Sequence, residues 1–152
     1  ATLADILGQH QAIPAHAAED SFTILPALEG VAHRKPLRPF TIHHSINGSF
    51  AIRRGPWKLI LCPGSGGWSA PRPAQALKNK ELPPVQLFNL ADDPGEQTNL
   101  SAKEPQLVQE LVAQLAAAIR NGRTNPGPKQ SNEGWPATFH NRVLSAFPEL
   151  RN

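Results

Sequence analysis

Residues 85–100, VQLFNLADDPGEQTNL, decide how this chain folds. Val85, Leu87, Phe88 and Leu90 are strand formers. Asp92-Asp93-Pro94-Gly95 then predicts a hard stop, because Pro fixes φ and Gly is free to take φ > 0. Glu96 and Asn99 offer side-chain oxygens to the amides of the turn. The pattern is a strand, a turn and then entry into a helix. That helix is marked by Pro105 at a position tolerant of Pro. Leu107, Val108, Leu111, Val112, Leu115, Ala116 and Ile119 recur at helical spacing and form one apolar stripe that must cover a sheet face. Gly122 ends it.

Upstream, strands are predicted over Phe40–Ser45 and Ser49–Arg54, joined through Ile46-Asn47-Gly48. Asn-Gly signals a type I′ turn, with φ > 0 at both central residues. A Gly55-Pro56 turn leads to a third strand, Trp57–Leu61, in which Trp57, Leu59 and Leu61 alternate with Lys58 and Ile60. Residues 63–84 read as a long irregular excursion containing the glycine-rich run Gly64–Trp68. The expected fold is therefore α+β: a small antiparallel sheet of about four strands with helix 105–121 across one face.

With 152 residues the chain has the length of about one domain. Its hydrophobic fraction of 39% is modest, and 16 prolines is about twice the usual frequency. Both imply a loop-rich piece that leans on a partner surface. Thr2 to Leu7 starts in mid-helix with Gly8 as its stop, which suggests truncation. The lone Cys62 excludes an intrachain disulfide and a multi-cysteine metal site. No apolar run approaches the ~20 residues of a membrane-spanning helix. The net charge is +3, and residues 31–63 carry Arg34, Lys35, Arg38, Arg53, Arg54 and Lys58 with no Asp or Glu. His33, His43 and His44 lie in the same stretch. One-signed charge of this kind attracts anions or forms a solvated basic face.

Several of these segments, in this order, resemble the C-terminal part of the type I sulfatases, the formylglycine-dependent sulfate ester hydrolases. They are His43-His44-Ser45, the run SFAIRRGPWKLILCPGSGGW from Ser49 to Trp68, VQLFNLADDPGEQTNL, and the helix end Asn121-Gly122-Arg123 followed by TNPGPKQSNEG. The resemblance implies that residues 1–30 are a remnant of the large, alkaline-phosphatase-like catalytic domain. Residues 31–39 would be a connector, 40–123 the C-terminal subdomain, and 124–152 a polar Pro/Gly-rich tail. It implies a parent that hydrolyses sulfate esters with formylglycine and calcium, on a sulfated small molecule or carbohydrate, in the periplasm or outside the cell. No nucleic-acid or membrane partner is expected. Self-association through the apolar N-terminal segment is expected if the large domain is missing.

No catalytic or metal-binding residue is assigned to this chain. Cys62-Pro63-Gly64-Ser65-Gly66 does not match the family's C-x-P-x-R nucleophile context, and Asp92-Asp93 sits in a Pro-Gly turn. The resemblance places His43 or His44, with Ser45 and Asn47, near the rim of the substrate pocket. Adjacent strand residues point to opposite faces, so only one histidine of the pair can face it. Trp68, on its glycine run, could lie over a sugar or aryl ring. Structural alternatives stay open for each: hydrogen-bonded sheet-edge histidines and a mobile surface loop. Asn47-Gly48-Ser49 and Asn99-Leu100-Ser101 match the glycosylation sequon, but turn chemistry explains both. A stand-alone α+β module for an anionic partner such as nucleic acid is the second reading. The strands lack the clustered aromatics of a base-stacking platform.

Overall fold

The computed structural model describes residues 1–32, 35–132 and 139–151, and the chain divides into two compact units. One comprises residues 40–116 and 137–152, the other residues 1–39 and 117–136.

The first of these holds a four-stranded antiparallel sheet in the order β1-β2-β3-β4. The strands are β1 (Thr41–His44), β2 (Phe50–Arg54), β3 (Trp57–Ile60) and β4 (Gln86–Asn89). Ile42 lies opposite Ile52, Ile52 opposite Leu59, and Leu59 opposite Leu87. This apolar row crosses the whole sheet, and Ile52, Leu59 and Leu87 in it are 0% exposed. Leu111, Val112 and Leu115 of helix α4 (Pro105–Asn121) are equally buried. Arg54, on the same face as Ile52, donates to Glu110 of α4 at 2.7 Å, which fixes the helix over that face. Each fully buried Ile, Leu or Val side chain of the row and of α4 contributes about 1.5–3 kcal/mol by leaving water.

The turn after β4 is held differently from the sequence expectation. Asp93, not Glu96, accepts the turn amides, from Gln97 N at 2.8 Å and Thr98 N at 2.8 Å. These bonds hold its carboxyl below the usual range. Positive φ falls on Glu96 (54°) and not on Gly95. Glu96 then turns to Lys58, at 2.5 Å. Asn99 does bind backbone, accepting from Leu87 N (3.0 Å) and Ser101 N (2.9 Å).

Two helices lie outside the sheet-and-helix core in this unit. α3 (Pro73–Lys78) falls inside the excursion expected to be irregular, and α5 (Asn141–Ala146) buries Val143. Arg142 ties α5 to the end of α3 by donating to the carbonyls of Asn79 (3.0 Å), Lys80 (3.2 Å) and Leu82.

The second unit contains α1 (Thr2–Ile6), a 3-10 turn at His10–Ala12 and α2 (Leu25–Leu28), none with a buried residue. Leu3 and Leu7 are 76% and 72% exposed, and Ile6, Ile24, Leu28 and Val31 are also open. Phe22 is half-buried beneath the Arg38 guanidinium, 5.0 Å from its ring. Arg123 organises this unit. It is 8% exposed and donates to the carbonyls of Ala15 (2.9 Å), Pro128 (2.7 Å) and Asn125 (3.1 Å), and to Asn125 Oδ1. Asn125 in turn donates to Ala18 O and Ser21 O. Among the described residues no helix is long and apolar enough to cross a membrane.

Candidate functional site

The β1–β2 connection positions most of the residues singled out by sequence. It is a three-residue loop and not the expected type I′ turn. Gly48 N donates to Ser45 O at 2.9 Å, Ser45 N to Ser49 O at 3.0 Å, and only Gly48 has φ > 0, at 81°. That is a turn of the common sort closed by a left-handed residue, which Gly48 supplies without strain. Asn47 stiffens it: its Oδ1 accepts from Ser45 Oγ (2.7 Å) and Ser49 N (3.0 Å).

The glycine run packs onto this loop. Asn47 N donates to Gly66 O at 3.4 Å, and a Cβ on Gly66 would sit 2.6 Å from Ser45 Oγ. A Cβ on Gly64 would meet Ala76 of α3 at 2.5 Å. Gln86 of β4 holds the base of the run, donating to Cys62 O and Gly64 O, both at 2.8 Å. Cys62 is buried and its thiol donates to Gly64 O, so the loop is anchored at its base. Its tip presents Trp68, 79% exposed, and Ile46 beside Gly67 is also open. The structure thus joins Ser45, Asn47 and the loop that carries Trp68.

The histidines separate as strand geometry requires. His43 pairs with Ala51 and shares its face with Arg53, Lys58 and the Glu96 carboxylate. Partial burial, and then the Lys58 charge, push its pKa below the ordinary imidazole value. His44 lies on the opposite face, edge-on to Phe50 with ring centroids 5.4 Å apart. Phe50 continues to Phe139 at 5.3 Å. Sequence reading gave Phe139 no role; it enters only through the fold, from a segment far along the chain. The same holds for His140, which caps α5 by accepting from Arg142 N at 3.2 Å. The one available signal was His140-Asn141-Arg142 opening a short apolar turn.

The basic stretch does not stay one-signed in space. Arg54 pairs with Glu110, Lys58 with Glu96, and Arg53 donates to Gly55 O. Arg38 donates to Asp20 O. His33 and Arg34 lie outside the described residues. Among the described residues no three His, Cys, Asp or Glu side chains are grouped to hold a metal ion. Asp92 accepts from Asn89 and Asp93 from the turn amides. Both carboxylates thus spend oxygens on the turn itself.

Residues 36–145 match the profile of the C-terminal region of aryl-sulfatase. The chain belongs to the sulfatase family. An N-acetylgalactosamine-6-O-sulfatase of Bacteroides thetaiotaomicron is 32% identical over 114 residues, which cover 73% of this chain and 20% of the relative. The chain thus spans about a fifth of the length of the curated relative it matches. A solved structure from a Bacteroides thetaiotaomicron core genetic locus, one that orchestrates the metabolism of multiple glycosaminoglycans, superimposes with a TM-score of 0.58. Its identity is 30%, and the match covers 77% of this chain and 23% of that one. A crystal structure from the same organism reaches a TM-score of 0.50 at 20% identity, over 91% of this chain and 29% of its own, and shows the fold alone. The sheet of four antiparallel strands with α4 across it is the architecture of a sulfatase C-terminal subdomain in this chain.

Proposed function

We propose that the parent protein releases sulfate from a sulfated carbohydrate, and that this sulfatase C-terminal region completes the fold and shapes the substrate pocket. The reading rests on the observation that Gly66 packs on Ser45 and Asn47, so that the run carrying the exposed Trp68 is anchored on the loop that follows the exposed His44. An indole offers a flat apolar surface to a sugar ring. An imidazole donates to a sulfate oxygen. His44 is assigned the substrate-facing role and His43 a structural one, because His43 stands among the Lys58–Glu96 pair. The nucleophile and calcium of the family are assigned to the rest of the parent, and the chain alone is proposed to be inactive. The relative's action on an N-acetylgalactosamine sulfate supports a sulfated saccharide as the substrate class. Two of the six basic residues behind the anion-binding alternative, Arg54 and Lys58, are paired with carboxylates, which weighs against it.

The test is kcat/KM of the full-length parent on a sulfated sugar. His44→Ala removes a hydrogen bond to a charged group, worth about 1.5–3 kcal/mol, and should lower kcat/KM roughly tenfold or more. His43→Ala should alter stability more than turnover. Changes below about threefold for both would make the pair structural.

A further inference from the structure

The β1–β2 loop, the base of the glycine run, α3 and the residues leading into α5 line an open cavity of about 290 Å³. That is the lower end of the roughly 300–1,000 Å³ range of ligand pockets, the size for one sugar ring or a substituent of it. One wall is apolar, made by Pro63, Pro73, Leu77 and Phe139. Its polar groups come from Asn47, Ser49 and His140. Among the described residues no Asp, Glu, Lys or Arg lines it.

The hydrogen bonds already made define what the polar groups have left. Asn47 uses its Oδ1 on Ser45 and Ser49, which leaves the Nδ2 amide hydrogens without a partner among the described residues. Ser49 engages its backbone N–H and C=O, while its hydroxyl has no partner there. His140 accepts Arg142 N–H at Nδ1, so in the neutral ring the proton is on Nε2, a donor. Three uncommitted donor groups therefore belong to residues lining an uncharged, half-apolar cavity. The described lining offers an ionic sulfate no cation to offset its desolvation. A neutral group with a carbonyl acceptor and a methyl suits both walls.

We propose that this cavity is a binding site for the acetamido group of an N-acetylhexosamine, with its carbonyl toward Asn47, Ser49 and His140 and its methyl against Leu77 and Phe139. The proposal rests on the sulfated-carbohydrate reading above and adds a substituent that the site would select.

The experiment is an NMR titration of the isotope-labelled chain with N-acetylgalactosamine and, separately, galactose, which differs by having a hydroxyl in place of the acetamido group. N-acetylgalactosamine should shift the amide signals of Ser49, Gly66, Leu77 and His140 saturably, with a Kd on the order of millimolar. Galactose should bind at least about tenfold more weakly. Leu77→Trp, which fills the cavity from a half-exposed helix position, should abolish the shifts while the sheet signals stay dispersed. Should that variant lose its dispersion, Ser49→Ala removes one donor and should weaken binding about threefold or more. Absence of saturable shifts to about 50 mM, or equal shifts with galactose, overturns the proposal. Sulfate release by the full-length parent is a separate readout. Sugar binding can fail while turnover persists, which removes the acetamido site and leaves the sulfatase reading standing.

Discussion

The two units are built on different physics. In the sheet unit, an apolar row across β2, β3 and β4 meets the stripe of α4, and Ile52, Leu59, Leu87, Leu111, Val112 and Leu115 lose all exposure. In the other unit, α1, α2 and the 3-10 turn bury no residue, and the chain is held by polar bonds that converge on Arg123 and Asn125. Burial of apolar area is cooperative and insensitive to any one hydrogen bond. A carbonyl cage around one guanidinium is directional and depends on that one side chain. The first unit is a domain core, whereas the second leaves its larger apolar side chains to water.

The sharpest way to break this contrast is a pair of matched truncations. Leu59→Ala should cost about 2–5 kcal/mol of stability, as expected for a fully buried site. Leu3→Ala should stay within about 0.5 kcal/mol. Urea unfolding followed by tryptophan fluorescence reads both, and equal losses would show that α1 has a core of its own. Next in size is Arg123→Met. It strips the donors from the carbonyls of Ala15, Asn125 and Pro128, at about 0.5–1.5 kcal/mol for each hydrogen bond lost, since water can reach the freed acceptors. Hydrogen exchange should accelerate over residues 10–21 while β1 to β4 keep their protection. Unchanged exchange at 10–21 would remove Arg123 from its organising role.

A smaller effect is expected on association. Leu3, Ile6, Leu7, Leu28 and Val31 are open to solvent, and apolar patches of this kind drive contact between molecules. The chain should sediment with concentration-dependent mass, and the double variant Leu3→Asp, Leu7→Asp should sediment as a monomer. A monomeric unsubstituted chain at all concentrations would count against the apolar patch as a contact surface. The smallest effect concerns pH. The fold holds His43 below its ordinary pKa, so the unfolded chain takes up the proton more readily. Stability is therefore complete above about pH 6.5 and falls as the pH drops below it. His43→Gln should flatten that slope between about pH 7 and 5, measured as the urea midpoint. An unchanged slope would assign it to other groups.

Most of the sheet unit was legible because its signals are local. The Asn-Gly pair marked the strands near Thr41–His44 and Phe50–Arg54, alternation marked Trp57–Ile60, strand formers before a Pro-Gly stop marked Gln86–Asn89, and the apolar stripe marked α4. What escaped depends on partners distant in sequence. Glu96 looked like a turn acceptor until the sheet brought Lys58 to it, and Asp93 took the amides instead. The Asn47-Gly48 turn type was missed because one added residue, Ile46, moves Asn47 out of the left-handed position and leaves Gly48 alone there. α3 was hidden by the prolines around it, although Pro73 is well placed at its first turn. Phe139 and His140 join the candidate site from beyond α4, and no spacing rule connects them to Asn47.

Gly64 and Gly66 act as two fixed posts, since a side chain at either would collide with α3 or with Ser45. The residues between and beyond the posts carry no such restriction: Ser65, Trp68 and Ser69 are exposed. The run can therefore be treated as an interchangeable cassette. Its footings tolerate only glycine, while its outer face can be rewritten to present a different surface without disturbing the sheet beneath. A library varied at 67–69 with both glycines kept would retune what this edge of the protein recognises at little cost to folding.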